Sequence, residues 1–155
     1  MVFSGRGSSL AKRVLFAVAL LSSAYVREGT GLSVDQAVIW FPSGVAVAGL
    51  WLLGAREWWV VAACVAGQRL LAGNGIEYTM TAAAGSTAEA LLGAYLLGRL
   101  GFDARLSRWR DILALVAAAS AAPVASIAAS WSGRVLLSYD LNVALYYFGW
   151  WRMNA

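Results

Sequence analysis

Apolar residues in this chain come in long runs separated by short polar punctuation. They show neither the strict alternation of a half-buried strand nor the one-sided stripe of a helix on a water-soluble core. A bilayer core of roughly 30 Å is crossed by about 20 apolar helical residues. Ile112 to Trp131 meets that length without a charge, interrupted only by Pro123 and a few serines, and Tyr78 to Leu97 meets it with one charge, Glu89. Leu10 to Val26, Val38 to Gly54 and Trp58 to Gly73 are shorter, and a sixth run begins near Leu141 and is cut off at Ala155. Lys12 and Arg13 lengthen the first run if their heads reach the lipid phosphates. The pattern predicts a single all-α domain over 1–155, a polytopic transmembrane bundle of about six spans at 10–26, 38–54, 58–73, 78–97, 112–131 and 141–155.

The punctuation is equally specific. Asn74-Gly75 signals a tight turn. Gly101-Phe102-Asp103 breaks the fourth span before an amphipathic-looking stretch, Arg105 to Arg110, whose Trp109 is expected at the headgroup level. Pro123 removes one helical hydrogen bond and predicts a kink in the fifth span. The basic leader followed by an apolar stretch has the look of a signal peptide. It reads instead as the first anchor, because further spans follow closely and Ser22-Ser23-Ala24 lies inside a continuous helical run.

Composition sharpens this. Hydrophobic residues make up 61% and charged residues 13%, against about 45–50% and about 25% in soluble domains. The net charge of +4 does not point to nucleic acid: there is one lysine, and the arginines are scattered between apolar runs. With no histidine and one cysteine, Cys64, an internal disulfide, the usual zinc sites, His-ligated haem and His-dependent catalytic pairs are excluded. Cys64 reads as a small packing residue, and no cofactor or metal is expected.

Charge also orients the chain. Placing the leader in the cytoplasm returns Arg56 and the Arg99, Arg105, Arg108 and Arg110 connection to the same side by alternation. The connections carrying Arg27, Glu28 and Asp35, then Glu77, then Arg134 and Asp140 fall outside. Parity and charge agree on a cytoplasmic N-terminus.

Small residues at four-residue spacing let membrane helices approach closely. Ala82, Ser86, Ala90 and Ala94 form one stripe, Ala114, Ala118, Ala122, Ser126 and Ser130 another, and Gly44 with Ala48 begins a third. These predict contacts within the bundle or, alternatively, a homodimer face. Intramembrane polar groups stand out, because burying them in hydrocarbon costs several kcal/mol unless they find a partner. Glu89 lies near the midplane of its span, while Arg69, beside Gln68, lies near the outer end of the preceding one. The helical rise places Glu89 roughly 10 Å deeper than Arg69. A direct pair, a water-bridged pair and a ligand-occupied site all remain open, with Arg152 and Asn154 adding polar atoms nearby.

Three stretches carry a resemblance: Trp40-Phe41-Pro42-Ser43-Gly44-Val45-Ala46-Val47-Ala48, then Gly85-Ser86-Thr87-Ala88-Glu89-Ala90-Leu91-Leu92-Gly93-Ala94-Tyr95-Leu96-Leu97, then Trp150-Trp151. In order and separation, from about Ala37 to the end, they resemble the membrane-associated sensor domain of the first type, the MASE family. The resemblance implies a multi-span sensory module of the bacterial cytoplasmic membrane, attached in other members to histidine kinases and cyclic-di-GMP synthases. It implies a cytoplasmic N-terminus and that catalysis, if any, resides in a downstream soluble domain; a protein partner or output domain is expected in the membrane or cytoplasm. The sequence departs from the family pattern at Ser86, where an asparagine is usual, and at Met153-Asn154, where a Gly-Asp step is usual. The family also continues through further hydrophobic segments, so the chain is expected to be either a fragment or a member that has lost its output domain.

Two functions follow as expectations. One is a non-catalytic sensory module whose ligand or partner site is built from Glu89, Arg69 and Gln68, ringed by Trp40, Trp150 and Trp151 with Asn154. The other is a structural accessory subunit packed against a larger respiratory or photosynthetic membrane complex. A small transporter is a weaker fit, since the halves show no inverted self-similarity.

Overall fold

In the computed structural model, residues 6–29 and 41–137 are described. They form five helices: α1 (Arg6–Gly29), α2 (Phe41–Leu53), α3 (Trp58–Leu71), α4 (Ile76–Arg99) and α5 (Trp109–Leu137), with a short 3₁₀ turn at Ala55–Glu57 between α2 and α3. Trp40, the expected sixth span, Arg152, Trp150, Trp151 and Asn154 lie outside the described residues. Among the described residues the structure is all-helical.

Two of the connections the structure describes are held by glycine. Ala72 ends α3 and Gly73 follows at φ 77. The Gly73 N–H donates to the Leu70 carbonyl and the Asn74 N–H to that of Arg69. This is the double bond pattern of a left-handed helix stop, in which a side chain at the glycine is strained. The left-handed residue is therefore Gly73, and Gly75 of the expected Asn-Gly turn instead sits extended as the N-cap of α4. Gly101 (φ 64) repeats the pattern after α4, with the Gly101 N–H donating to Gly98 and the Phe102 N–H to Leu97.

Of the amphipathic-looking stretch, Arg105 to Arg108 lie outside any helix, and α5 starts at Trp109. The buried Asp111 carboxylate explains that start. Its Oδ2 accepts from the Arg108 N–H at 3.0 Å and its Oδ1 from the Asp103 N–H at 3.3 Å. An acid three residues into a helix reaching back to the capping N–H satisfies one of the donors left over at that end.

Helix α4 is central and packs on α2, α3 and α5, while α1 packs on α2 and α3. Phe16, Leu20, Ala46, Leu50, Val60, Val61 and Ala90 form the apolar core between α1 and α4. Cys64 and Ala94 pack against it. At Gly49 any Cβ would fall inside the Phe16 ring, so the glycine is what lets that ring lie on α2.

The seam between α4 and α5 is built differently. Ala114, Ala118, Ala122, Ser126 and Ser130 are all buried. Opposite them, Gly85 meets Ser126 and Ser130, and Gly93 meets Val47 and Ala122. Of the three stripes, that of α5 is used within the chain against α4, and Ser86, Ala90 and Ala94 of the α4 stripe face α2 and α3.

Polarity is inverted relative to a water-soluble fold. Leu10, Val14, Leu15, Val18 and Leu21 of α1 and Ile112, Leu113, Leu115, Val116 and Val124 of α5 are exposed, while Thr79, Thr81, Thr87, Glu89, Ser126 and Ser130 are buried. A buried polar set under an exposed apolar surface is the informative departure from ordinary burial. Among the described residues one helix, Trp109–Ser130, is by itself long and apolar enough to cross a membrane, and Pro42–Leu53 is apolar but shorter.

Contacts bring two connections and the first third of α1 to one end of the bundle. Arg13, near the start of α1, donates from Nη2 and Nε to Oε1 of Glu57 at 2.7 and 3.0 Å and lies over the Trp59 ring. Trp51, near the end of α2, meets Phe102 edge-on at 5.4 Å. Arg13, expected to reach for lipid phosphate, is thus taken up in part by Glu57.

Candidate functional site

Most buried hydroxyls here satisfy themselves. Thr87 donates to the Ala83 carbonyl at 2.7 Å, Thr81 to those of Glu77 and Tyr78, and Ser130 across to that of Thr81 at 3.4 Å. Such back-bonding is the ordinary fate of Ser and Thr in apolar helices. Against that background, the polar atoms left over are the ones that need an explanation.

Glu89 is the first. It is 3% exposed, on the stretch of α4 that faces both α2 and α5. The hydroxyls of Ser43 from α2 and Ser126 from α5 flank its carboxyl. The local sequence arranges this. Gly85, one turn before Glu89, has no side chain, so Ser126 and Ser130 come against the α4 backbone. Pro42, inside the first turn of α2, needs no N–H partner there and leads directly into Ser43. Yet Oε2 of Glu89 and Oγ of Ser126, itself fully buried, both lack a hydrogen-bond partner. Ser126 is beside the carboxyl but outside bonding geometry.

Arg69 is the second. It stands in the last turn of α3, where the carbonyl ends of a helix favour a cation. Its guanidinium lies over the Tyr78 ring at 5.6 Å, and its Nε is buried without a partner. No ion pair joins Arg69 to Glu89; the ion pair among the described residues is Arg13 with Glu57. The direct pair considered from the sequence is not formed, because Glu89 lies three turns into α4 while Arg69 stays beside the α3–α4 turn.

The two centres are nevertheless linked. Gln68 and Arg69, with Ser43 and Ser86, line a cavity of about 20 Å³ whose remaining walls include Leu20, Pro42, Ala46, Val61 and Val65. That volume holds about one water molecule. Ser43 faces this cavity and the Glu89 carboxyl at once. The structure thus brings Gln68 and Arg69 together, sets Glu89 apart, and joins them through a serine that sequence reasoning left out. Its signal was present in the Trp-Phe-Pro-Ser-Gly stretch, where a lone hydroxyl follows an aromatic pair. Ser126 was hidden in a stripe read as packing alone.

A family model described as MASE1 matches residues 7–152. No curated protein and no solved structure matches the chain.

Proposed function

The chain belongs to the MASE1 family of membrane-associated sensor domains, and from that premise we propose that it is the non-catalytic signal-input bundle of a bacterial regulatory system. It is a membrane protein; in the proposed arrangement it crosses the bacterial cytoplasmic membrane about six times with its N-terminus in the cytoplasm. The shared end of Arg13, Glu57 and the Phe102 connection supports this orientation, because it gathers Arg56, Arg99, Arg105, Arg108 and Arg110 on one side.

The observation that carries the reading is Glu89. A carboxyl with one unpartnered oxygen, held where α2, α4 and α5 meet, makes the stability of that junction depend on which donors reach it. A ligand or protein partner that adds or withdraws one donor there favours one arrangement of the three helices over another, which is the only way binding shifts a conformational equilibrium. The altered arrangement passes to an attached output domain or partner.

The test is Glu89→Gln, with the chain grafted in place of the native sensor of a MASE1-type cyclic-di-GMP synthase and the product measured in cells. The expected result is a change in output of at least about fivefold, the lower end of usual coupling energies, at unchanged protein amount. Unchanged output together with unchanged bundle stability overturns the assignment.

A further inference from the structure

We propose that the cavity at the outer part of α3 is a binding site for a small anion, taken either as a free halide or as the carboxylate head of an organic acid, with Arg69 as its charge partner. This deepens the sensory reading by naming the class of ligand, and rests on it for the consequence of binding.

The first argument is charge balance. A guanidinium is cationic at any accessible pH and has donors but no acceptor. Within a membrane bundle such a group is costly unless compensated. The Tyr78 ring and the carbonyl end of α3 ease the charge of Arg69 without neutralising it. No described carboxylate pairs with it, and its Nε is buried with nothing to donate to.

The second argument is the donor set. Around the cavity stand the Arg69 guanidinium, the Gln68 amide and the hydroxyls of Ser43 and Ser86, and among the described residues no carboxylate lines it. That lining offers protons and one positive charge, which suits an anion and repels a metal cation. Size narrows the class further. About 20 Å³ admits a monatomic anion or a planar carboxylate end, in a space where one water would otherwise sit. The larger tetrahedral sulfate is expected not to enter and serves as the comparator.

The third argument explains how occupancy reaches the rest of the bundle. The Ser43 hydroxyl carries a single proton. It can donate that proton to Glu89 or to an anion in the cavity, but not to both. An arriving anion therefore withdraws one of the two hydroxyls flanking Glu89 and leaves that carboxyl to Ser126 on α5. Binding between α1, α2, α3 and α4 thereby alters the α4–α5 junction without touching α5.

The experiment is thermal unfolding of the purified chain in zwitterionic nanodiscs, titrated with sodium chloride or sodium acetate against sodium sulfate at matched ionic strength. A saturable rise in midpoint of about 3 °C or more over sulfate is expected from ligand linkage. A rise with acetate alone assigns the carboxylate, and a rise with chloride assigns the free halide. Arg69→Gln removes the buried charge and is expected to abolish the rise. Ser86→Val fills the cavity while keeping the charge and is expected to abolish it as well, so the result does not hang on one variant. No rise in the parent chain, or an undiminished rise in both variants, overturns the proposal. If the rise is absent while Glu89→Gln still changes output, the anion site falls and the sensory reading stands.

Discussion

Replacing Gly85 with alanine drives a Cβ into Oγ of Ser130 and places it 3.1 Å from Oγ of Ser126 and 3.2 Å from the Ser126 carbonyl oxygen. The first clash is relieved when the Ser130 hydroxyl rotates away, at the loss of its bond to the Thr81 carbonyl. The last is with backbone and is relieved only if α5 moves off α4. Overpacking of this kind costs about 1–3 kcal/mol, offset by up to about 1 kcal/mol because alanine is the better helix former. The net expectation is a loss of up to about 3 kcal/mol, set by the tightness of this seam. Gly67→Ala and Gly98→Ala are the controls: neither Cβ meets anything within 4 Å, so only the propensity gain remains, from zero to about 1 kcal/mol. Adding Ser130→Ala to Gly85→Ala removes the closest clash and is expected to recover at least about 0.5 kcal/mol beyond additivity. The assay is reversible unfolding in mixed micelles followed by circular dichroism. If Gly85→Ala unfolds where Gly67→Ala does, α4 and α5 do not meet as described and the reasoning fails.

Three further outcomes are expected. Asp111→Ala leaves the Asp103 and Arg108 N–H groups without their acceptor. It should cost about 1.4 kcal/mol of local stability, read as roughly tenfold faster tryptic cleavage after Arg105 or Arg108, and an unchanged rate refutes the capping role. Glu57→Gln weakens the bond to Arg13, whose side chain is 41% exposed; the loss should stay below about 1 kcal/mol and shrink in salt titrations. Reporter fusions after Arg56 and Arg105 should read cytoplasmic and one after Gly75 external, and the reverse pattern rejects the orientation.

The helices were largely readable because apolar run length is a local property. Segments expected at 58–73, 78–97 and 112–131 appear as Trp58–Leu71, Ile76–Arg99 and Trp109–Leu137. Helix α5 begins earlier than expected because Asp111 caps it from within, a signal carried by one acid among arginines rather than by hydropathy. The α3–α4 turn was placed correctly, yet its left-handed residue is Gly73, since helix geometry and not dipeptide preference decides where the reversal falls. The site was harder. Arg69 and Glu89 were identified as costly residues, which follows from charge in an apolar run. Their neighbours were not, because Ser43 and Ser126 acquire meaning only when α2 and α5 land on the same side of α4. That pairing is fixed by Gly85 and Gly93, and a single sequence does not say which partner a glycine admits.

Gly93 has a mechanical consequence. At that level one glycine of α4 lies against both Val47 of α2 and Ala122 of α5, so the three helices meet closely there. Pro123 follows immediately and leaves the Ala119 carbonyl without its helical donor. A close three-helix contact therefore sits at the level of the break in the hydrogen-bond ladder of α5. A displacement of α2 at this level is therefore felt by α4 and α5 together, beside the turn of α5 that lacks one hydrogen bond.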